Sequence, residues 1–217
     1  MKINLKGMDL FYEKEGSGKP LILVHGNGED HTIFDEIIPE LAKDFTIYAL
    51  DSPGHGKSGK LEEYNYRKIA EYIVEFIQKL GMEDPYFYGF SDGGIIGLII
   101  GAKYPQLLGK LVISGANLTP DGLKRAWRII FNLGYIFTRS NKYKMVLEQP
   151  DISSKELEKI IVPTWIIAGS KDMIKESHTR YISEKIKDSK LDFLYGESHS
   201  SYVVHSKKLL PLLKERL

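Results

Sequence analysis

The chain of 217 residues contains no cysteine, which removes disulfides, thiolate nucleophiles and cysteine-ligated metal centres from the list of possible chemistries. It also has almost no net charge: 30 Lys and Arg stand against 29 Asp and Glu, a formal +1. That balance leaves no basic footprint to neutralise a row of phosphates, so nucleic acid is not an expected partner. No apolar run is long enough to cross a bilayer, and Met1 to Lys6 alternate polar and apolar like a strand rather than forming a leader's apolar stretch. A soluble cytoplasmic protein with no membrane partner, monomer or homodimer, is the expectation. Neither His-Glu-x-x-His nor any other metal-ligand spacing is present, so neither a metal nor a cofactor is expected.

What is present fits one core, because 217 residues suit a single domain with an insertion better than two domains. Two strand candidates, Lys2 to Leu5 and Leu10 to Glu13, lead into Leu21-Ile22-Leu23-Val24, an unbroken apolar run that implies burial on both faces. A helix is expected over Thr32 to Lys43, a strand over Thr46 to Leu50, a helix over Tyr66 to Leu80 and a strand over Pro85 to Tyr88. After a long apolar helix ended by Tyr104-Pro105 come strand candidates at Lys110 to Ser114, Pro163 to Ala168 and Leu191 to Tyr195. Strands alternating with helices imply a parallel sheet with right-handed crossovers. The last helix is expected over Ser201 to Leu217, kinked or broken at Pro211.

Residues 117–161 interrupt this alternation and read as a small helical cap inserted into a core made of 1–116 and 162–217. Leu123, Ala126, Trp127, Ile130 and Leu133 to Phe137 fall on one helical side. Such a stripe packs against the main domain or offers a substrate surface, and a cap can do both. Trp127 and Phe131 are the substrate-binding candidates on it.

The chemistry centres on Gly89-Phe90-Ser91-Asp92-Gly93, a G-x-S-x-G pentapeptide between an apolar strand and an apolar helix. A serine on so sharp a turn is forced out of the sheet, and flanking glycines give the backbone room that side chains would block. Here the chain resembles the α/β-hydrolase family, whose nucleophile elbow this is. The resemblance implies a mostly parallel sheet of about eight strands flanked by helices, with the chain order serine, acid, histidine. A serine hydroxyl needs a general base, and the base an orienting acid. Asp172, in Gly169-Ser170-Lys171-Asp172, and His199, in Gly196-Glu197-Ser198-His199, each sit just beyond the carboxyl end of a strand, the edge where open α/β sheets gather active groups. Asp172 has an alternative as a turn or cap residue. His205, placed inside the last helix, is the weaker candidate base, and Asp51 is a second candidate acid that the resemblance assigns to a structural loop.

By the same resemblance, the backbone N–H groups of Asp92 and of Asn27, in His25-Gly26-Asn27-Gly28, form the oxyanion hole, and His25 ties that loop down. Ser91-Asp92-Gly93-Gly94, Ile95 to Leu98, Ala102-Lys103-Tyr104-Pro105 and Gly115-Ala116-Asn117 resemble the biphenyl hydrolase-like branch, where this acid binds a substrate's α-ammonium group. A carboxylate in the first turn of a helix is equally welcome for its interaction with the macrodipole, so both roles for Asp92 stay open.

Two imitations are set aside. Gly26-Asn27-Gly28 with Asp51 about twenty residues later mimics a dinucleotide fingerprint, but His31 occupies the third glycine position; Gly56-Lys57-Ser58 ends like a phosphate loop without its first glycine. The expected function is hydrolysis of a small-molecule carboxylic ester, amino-acid esters included, through an acyl-enzyme. The rivals are carbon-carbon bond or thioester hydrolysis on the same residues, and ligand sensing with little turnover.

Overall fold

The computed structural model describes all 217 residues. Its centre is an eight-stranded sheet of β1 (Lys2–Leu5), β2 (Met8–Glu15), β3 (Lys19–Val24), β4 (Phe45–Leu50), β5 (Tyr86–Phe90), β6 (Lys110–Ser114), β7 (Thr164–Lys171) and β8 (Ser189–Ser198). The spatial order is β1-β2-β4-β3-β5-β6-β7-β8, antiparallel at β1/β2 and β2/β4 and parallel from there on. Helices α1 (Ile38–Leu41), α2 (Tyr66–Lys79), α3 (Asp92–Lys103), α7 (Glu176–Lys185) and α8 (Leu209–Arg216) flank it.

The apolar run in β3 behaves as its composition demands. Leu21 and Leu23 enter the core layer beneath α1 and α8, while Ile22 and Val24 enter the layer beneath α2 and α3, all four fully buried. Period-2 alternation therefore feeds two cores from one strand.

Two expected helices are shorter than their sequence period suggests. In place of Thr32 to Lys43 there is a 3-10 turn, His31–Phe34, capped by Asp30, and then the single turn α1 with Pro39 at its second position. Proline has no N–H and crowds the carbonyl four residues back, so the two pieces cannot fuse. The terminal helix begins only at Leu209, which puts Pro211 in its first turn, where a missing N–H costs nothing. His205 is not helical: its φ of 46° is left-handed, and its Nδ1 lies 2.8 Å from Asp35 Oδ1 on the surface.

Between β6 and β7 the chain forms a 3-10 turn, Pro120–Gly122, and helices α4 (Arg125–Thr138), α5 (Asn141–Glu148) and α6 (Ser154–Leu157). Helix α6 belongs to the main core, where Leu157 and Ile160 are fully buried. Helix α4 buries nothing completely. Its stripe faces away from the main domain, with Ile130, Leu133 and Ile136 about half exposed and Phe137 82% exposed. Packing of that stripe onto the protein therefore holds only at its start, where Leu123 is buried against Val146 and Ile174, and fails from Ile130 onward: the side of α4 that meets the protein is the narrower one of Trp127, Phe131 and Gly134, with the Phe131 ring 6.0 Å from that of Tyr143 on α5. No helix is long and apolar enough to span a membrane.

Candidate active site

Ser91 sits where β5 turns into α3, at φ 54° and ψ −112°, a conformation that side-chain-bearing residues rarely occupy. The turn survives because its neighbours over-determine it. The Ser91 N–H donates to the Ser114 carbonyl at 2.7 Å, and the Ser91 carbonyl accepts the Ile95 N–H at 3.0 Å. A Cβ on Gly93 would stand 2.2 Å from the Val24 carbonyl oxygen, so β3 and α3 approach more closely than any other residue allows.

Asp172 follows β7 and His199 follows β8 by one residue each, so strand pairing brings to Ser91 two side chains 81 and 108 positions away. His199 Nε2 lies 3.0 Å from Ser91 Oγ, and His199 Nδ1 lies 2.7 Å from Asp172 Oδ1. An ionised carboxylate only accepts, so Nδ1 carries the proton and Nε2 is left to accept the serine hydroxyl. Asp172 Oδ1 also accepts the Ile174 N–H at 2.8 Å, which makes the acid a turn residue as well as a partner of His199. Gly115, at φ 63°, backs the imidazole; a Cβ there would come within 2.6 Å of His199 Cε1.

The other sequence candidates find their places nearby. His25 is buried, with Nδ1 2.7 Å from the Gly26 carbonyl and Nε2 accepting the Ser52 N–H at 3.0 Å. That pattern requires a neutral ring, and burial lowers its pKa to about 4. Asp51 accepts from the His31 N–H at 2.9 Å and the Lys57 N–H at 2.6 Å, so both of its oxygens serve to close the 51–58 loop. Asp30, His31 and Asp51 gather ligand-type atoms within 4.8 Å, but these atoms already serve that loop and the cap of the 3-10 turn.

Asp92 is buried, its two carboxylate oxygens engaged by Tyr66 OH at 2.7 Å and Asn27 Nδ2 at 2.9 Å. Burial raises its pKa, and those two hydrogen bonds oppose the rise. Lys142 on α5 adds a positive charge close by; burial lowers its own pKa and the Asp92 charge pulls it back up. The backbone N–H of Asp92, in the first turn of α3, has no intrahelical acceptor.

A cleft of about 280 Å³ opens over Ser91 and His199. The core side contributes Asn27 and Glu29, the cap contributes Trp127 and Phe131, and Met173 lies between them. Both cap aromatics thus reach the cleft, as one of the two sequence readings expects. Sequence reasoning missed Glu29, Gly115, Tyr66 and Lys142. Only Glu29 carried a signal, as an acid three residues beyond Gly26 in a loop expected to hold backbone donors.

The model of the α/β hydrolase fold family matches residues 19–144, more than half of the chain. The chain belongs to the α/β-hydrolase fold family. Human serine hydrolase BPHL is 26% identical over 236 aligned positions, covering 93% of this chain and 80% of that protein, in keeping with the biphenyl hydrolase-like resemblance. A 2-hydroxy-6-oxo-6-(2'-aminophenyl)hexa-2,4-dienoic acid hydrolase of Metapseudomonas resinovorans is 30% identical over 149 positions, 66% of this chain but only 51% of that enzyme's length. Among solved structures, a meta-cleavage product hydrolase from Pseudomonas fluorescens superimposes with a TM-score of 0.83 at 20% identity, covering 99% of this chain and 96% of that one. A thermophilic esterase from Thermogutta terrifontis gives 0.82 at 18% identity, covering 99% and 96%. At such identities these two speak for the fold alone.

Proposed function

We propose that this α/β-hydrolase family member is a serine hydrolase that cleaves small carboxylic esters through an acyl-enzyme. The observation that carries the reading is the continuous hydrogen-bonded line from Ser91 Oγ through the His199 ring to Asp172. In this mechanism Ser91 Oγ attacks the ester carbonyl while its proton passes to His199 Nε2. The C–O bond to the alcohol breaks as His199 returns that proton to the leaving oxygen, and a water deprotonated by His199 then releases the acid and restores Ser91. Asp172 holds the imidazole in the tautomer that can accept. The N–H groups of Asn27 and Asp92 stabilise the tetrahedral oxyanion, by about 3 kcal/mol each where such donors have been removed singly. Engagement of the Asp92 carboxylate by Tyr66 and Asn27, with Lys142 nearby, supports this role by offsetting a negative charge that would otherwise oppose the oxyanion. Every group required comes from the chain and water, and the size of the cleft favours a small substrate.

A fluorophosphonate probe should label the native protein at Ser91 and leave Ser91→Ala unlabelled. On a panel of p-nitrophenyl esters of graded chain length, Ser91→Ala should lose about a thousandfold or more in kcat. Absence of labelling in the native protein would end the nucleophile reading and favour ligand sensing. The Metapseudomonas relative, named for a dienoic acid substrate, supports a second reading in which the same residues cleave a carbon-carbon bond. A kcat/KM for a ring-cleavage dienoate well above that for every ester would select it.

A further inference from the structure

The chain as a whole is balanced in charge, but the balance fails in the cap. From Gly122 to Leu147 stand six cations, Lys124, Arg125, Arg128, Arg139, Lys142 and Lys144, and no acid. Four of the six are engaged: Lys124 donates to the Asp172 carbonyl at 2.5 Å, Arg128 pairs with Asp121 at 2.6 Å, Lys142 lies close to Asp92, and Lys144 stands 3.9 Å from Glu148. Arg125 and Arg139, at the two ends of α4, are exposed and meet no carboxylate. The pocket that holds Glu62 and Glu63 is lined from the cap by α5 alone.

Between these two arginines runs the apolar face of α4. Ile129, Ile130, Leu133, Ile136 and Phe137 recur at helical spacing and are 47 to 82% exposed, along a helix whose 14 residues span about 21 Å. A helix with an apolar face bordered by basic residues lies flat in the headgroup layer of a bilayer, and it needs no spanning length to do so. The sequence expectation of no membrane partner rests on spanning length and does not bear on this case. We propose that α4 docks the protein on an anionic lipid surface, its five apolar side chains entering the acyl boundary while Arg125 and Arg139 meet the negative headgroups. A second copy fits the same face less well. Two-fold pairing of α4 with itself sets arginine against arginine in either direction, and one helix face falls well short of the ~800 Å² that each partner brings to a stable dimer. Trp127 and Phe131, on the other side of the same helix, line the cleft, so docking holds that cleft about one helix diameter from the headgroups.

The test needs no turnover and stands apart from any role of Ser91. The protein is sedimented with vesicles of phosphatidylcholine alone and of phosphatidylcholine with about one third phosphatidylserine. Binding should be about tenfold tighter or more on the anionic vesicles, and it should weaken as salt rises from about 0.05 to 0.5 M, because exposed charges are screened. Leu133→Ser combined with Phe137→Ser should lower affinity for the anionic vesicles about tenfold or more. Arg125→Gln combined with Arg139→Gln should cut the preference for phosphatidylserine about tenfold. Failure of the native protein to sediment with anionic vesicles overturns the proposal, as does full binding by the Leu133 and Phe137 variant or an undiminished preference in the arginine variant. A native dimer in light scattering that Phe137→Ser dissociates also overturns it and assigns the face to a second copy. Should the apolar double variant not fold, Phe137→Ser alone, at a side chain 82% exposed, and the arginine variant decide.

Discussion

Two apolar helices border the same cleft and could hardly be treated more differently by the fold. Every residue of α3 from Asp92 to Ala102 is buried, whereas α4, of similar length, has none that is fully buried. In α3 apolar residues lie all round, with the isoleucines packed between the sheet, α2 and α6. In α4 they form a stripe, and most of the stripe looks outward. The difference separates two duties. Helix α3 holds Ser91 in a costly backbone conformation by immobility, while α4 supplies two aromatic rings to the cleft and contributes little to holding the molecule together.

The sharpest way to break that comparison is at Gly93. A Cβ there would collide with the carbonyls of Val24 and His25, at 2.2 and 3.0 Å, neither of which can swing aside. Gly93→Ala should therefore cost about 3 kcal/mol or more in chemical denaturation, and a loss below about 1 kcal/mol would show that α3 is less rigidly seated than described. Next in size is the proton linkage of the loop packed against α3. His25 is neutral in the fold, with its pKa near 4 against 6.5 when unfolded, so between those values the unfolded chain binds more protons. Stability should fall as pH drops from about 6.5 to 4, by roughly 3 kcal/mol from this group. Buried His55, lowered to about 3, extends the loss further toward acid. Denaturation midpoints measured between pH 7 and pH 4 check the slope, and a flat profile would mean that neither ring is held neutral. The smallest effect belongs to the cap: Phe137→Ser should change stability by no more than about 0.5 kcal/mol, because its ring is 82% exposed. A large loss would reveal that α4 is anchored after all.

The sheet was legible because its signals are local and redundant. Leu21 to Val24 could only be a strand buried on both faces, and the elbow, Asp172 and His199 each carry a strand end that fixes where they meet. Helix lengths were less legible, since periodicity continues through Pro39 although the backbone cannot, and nothing in the composition near His205 announces its left-handed turn. The orientation of α4 was illegible for a deeper reason. An amphipathic pattern tells which side of a helix is apolar but not which side finds a neighbour, and here the stripe from Ile130 to Phe137 stays largely exposed. Glu29 went unnoticed because a lone acid in a polar loop is ordinary; that it holds the Gly26 N–H at the edge of the cleft is something only packing reveals.

The independence of α4 from the core bears on how such a protein changes over generations. Under the proposed function, substitutions at Trp127 and along the exposed side of α4 would reshape what enters the cleft while hardly taxing the ability of the chain to fold. New preferences would then be sampled through this helix while the surroundings of Ser91 stay fixed.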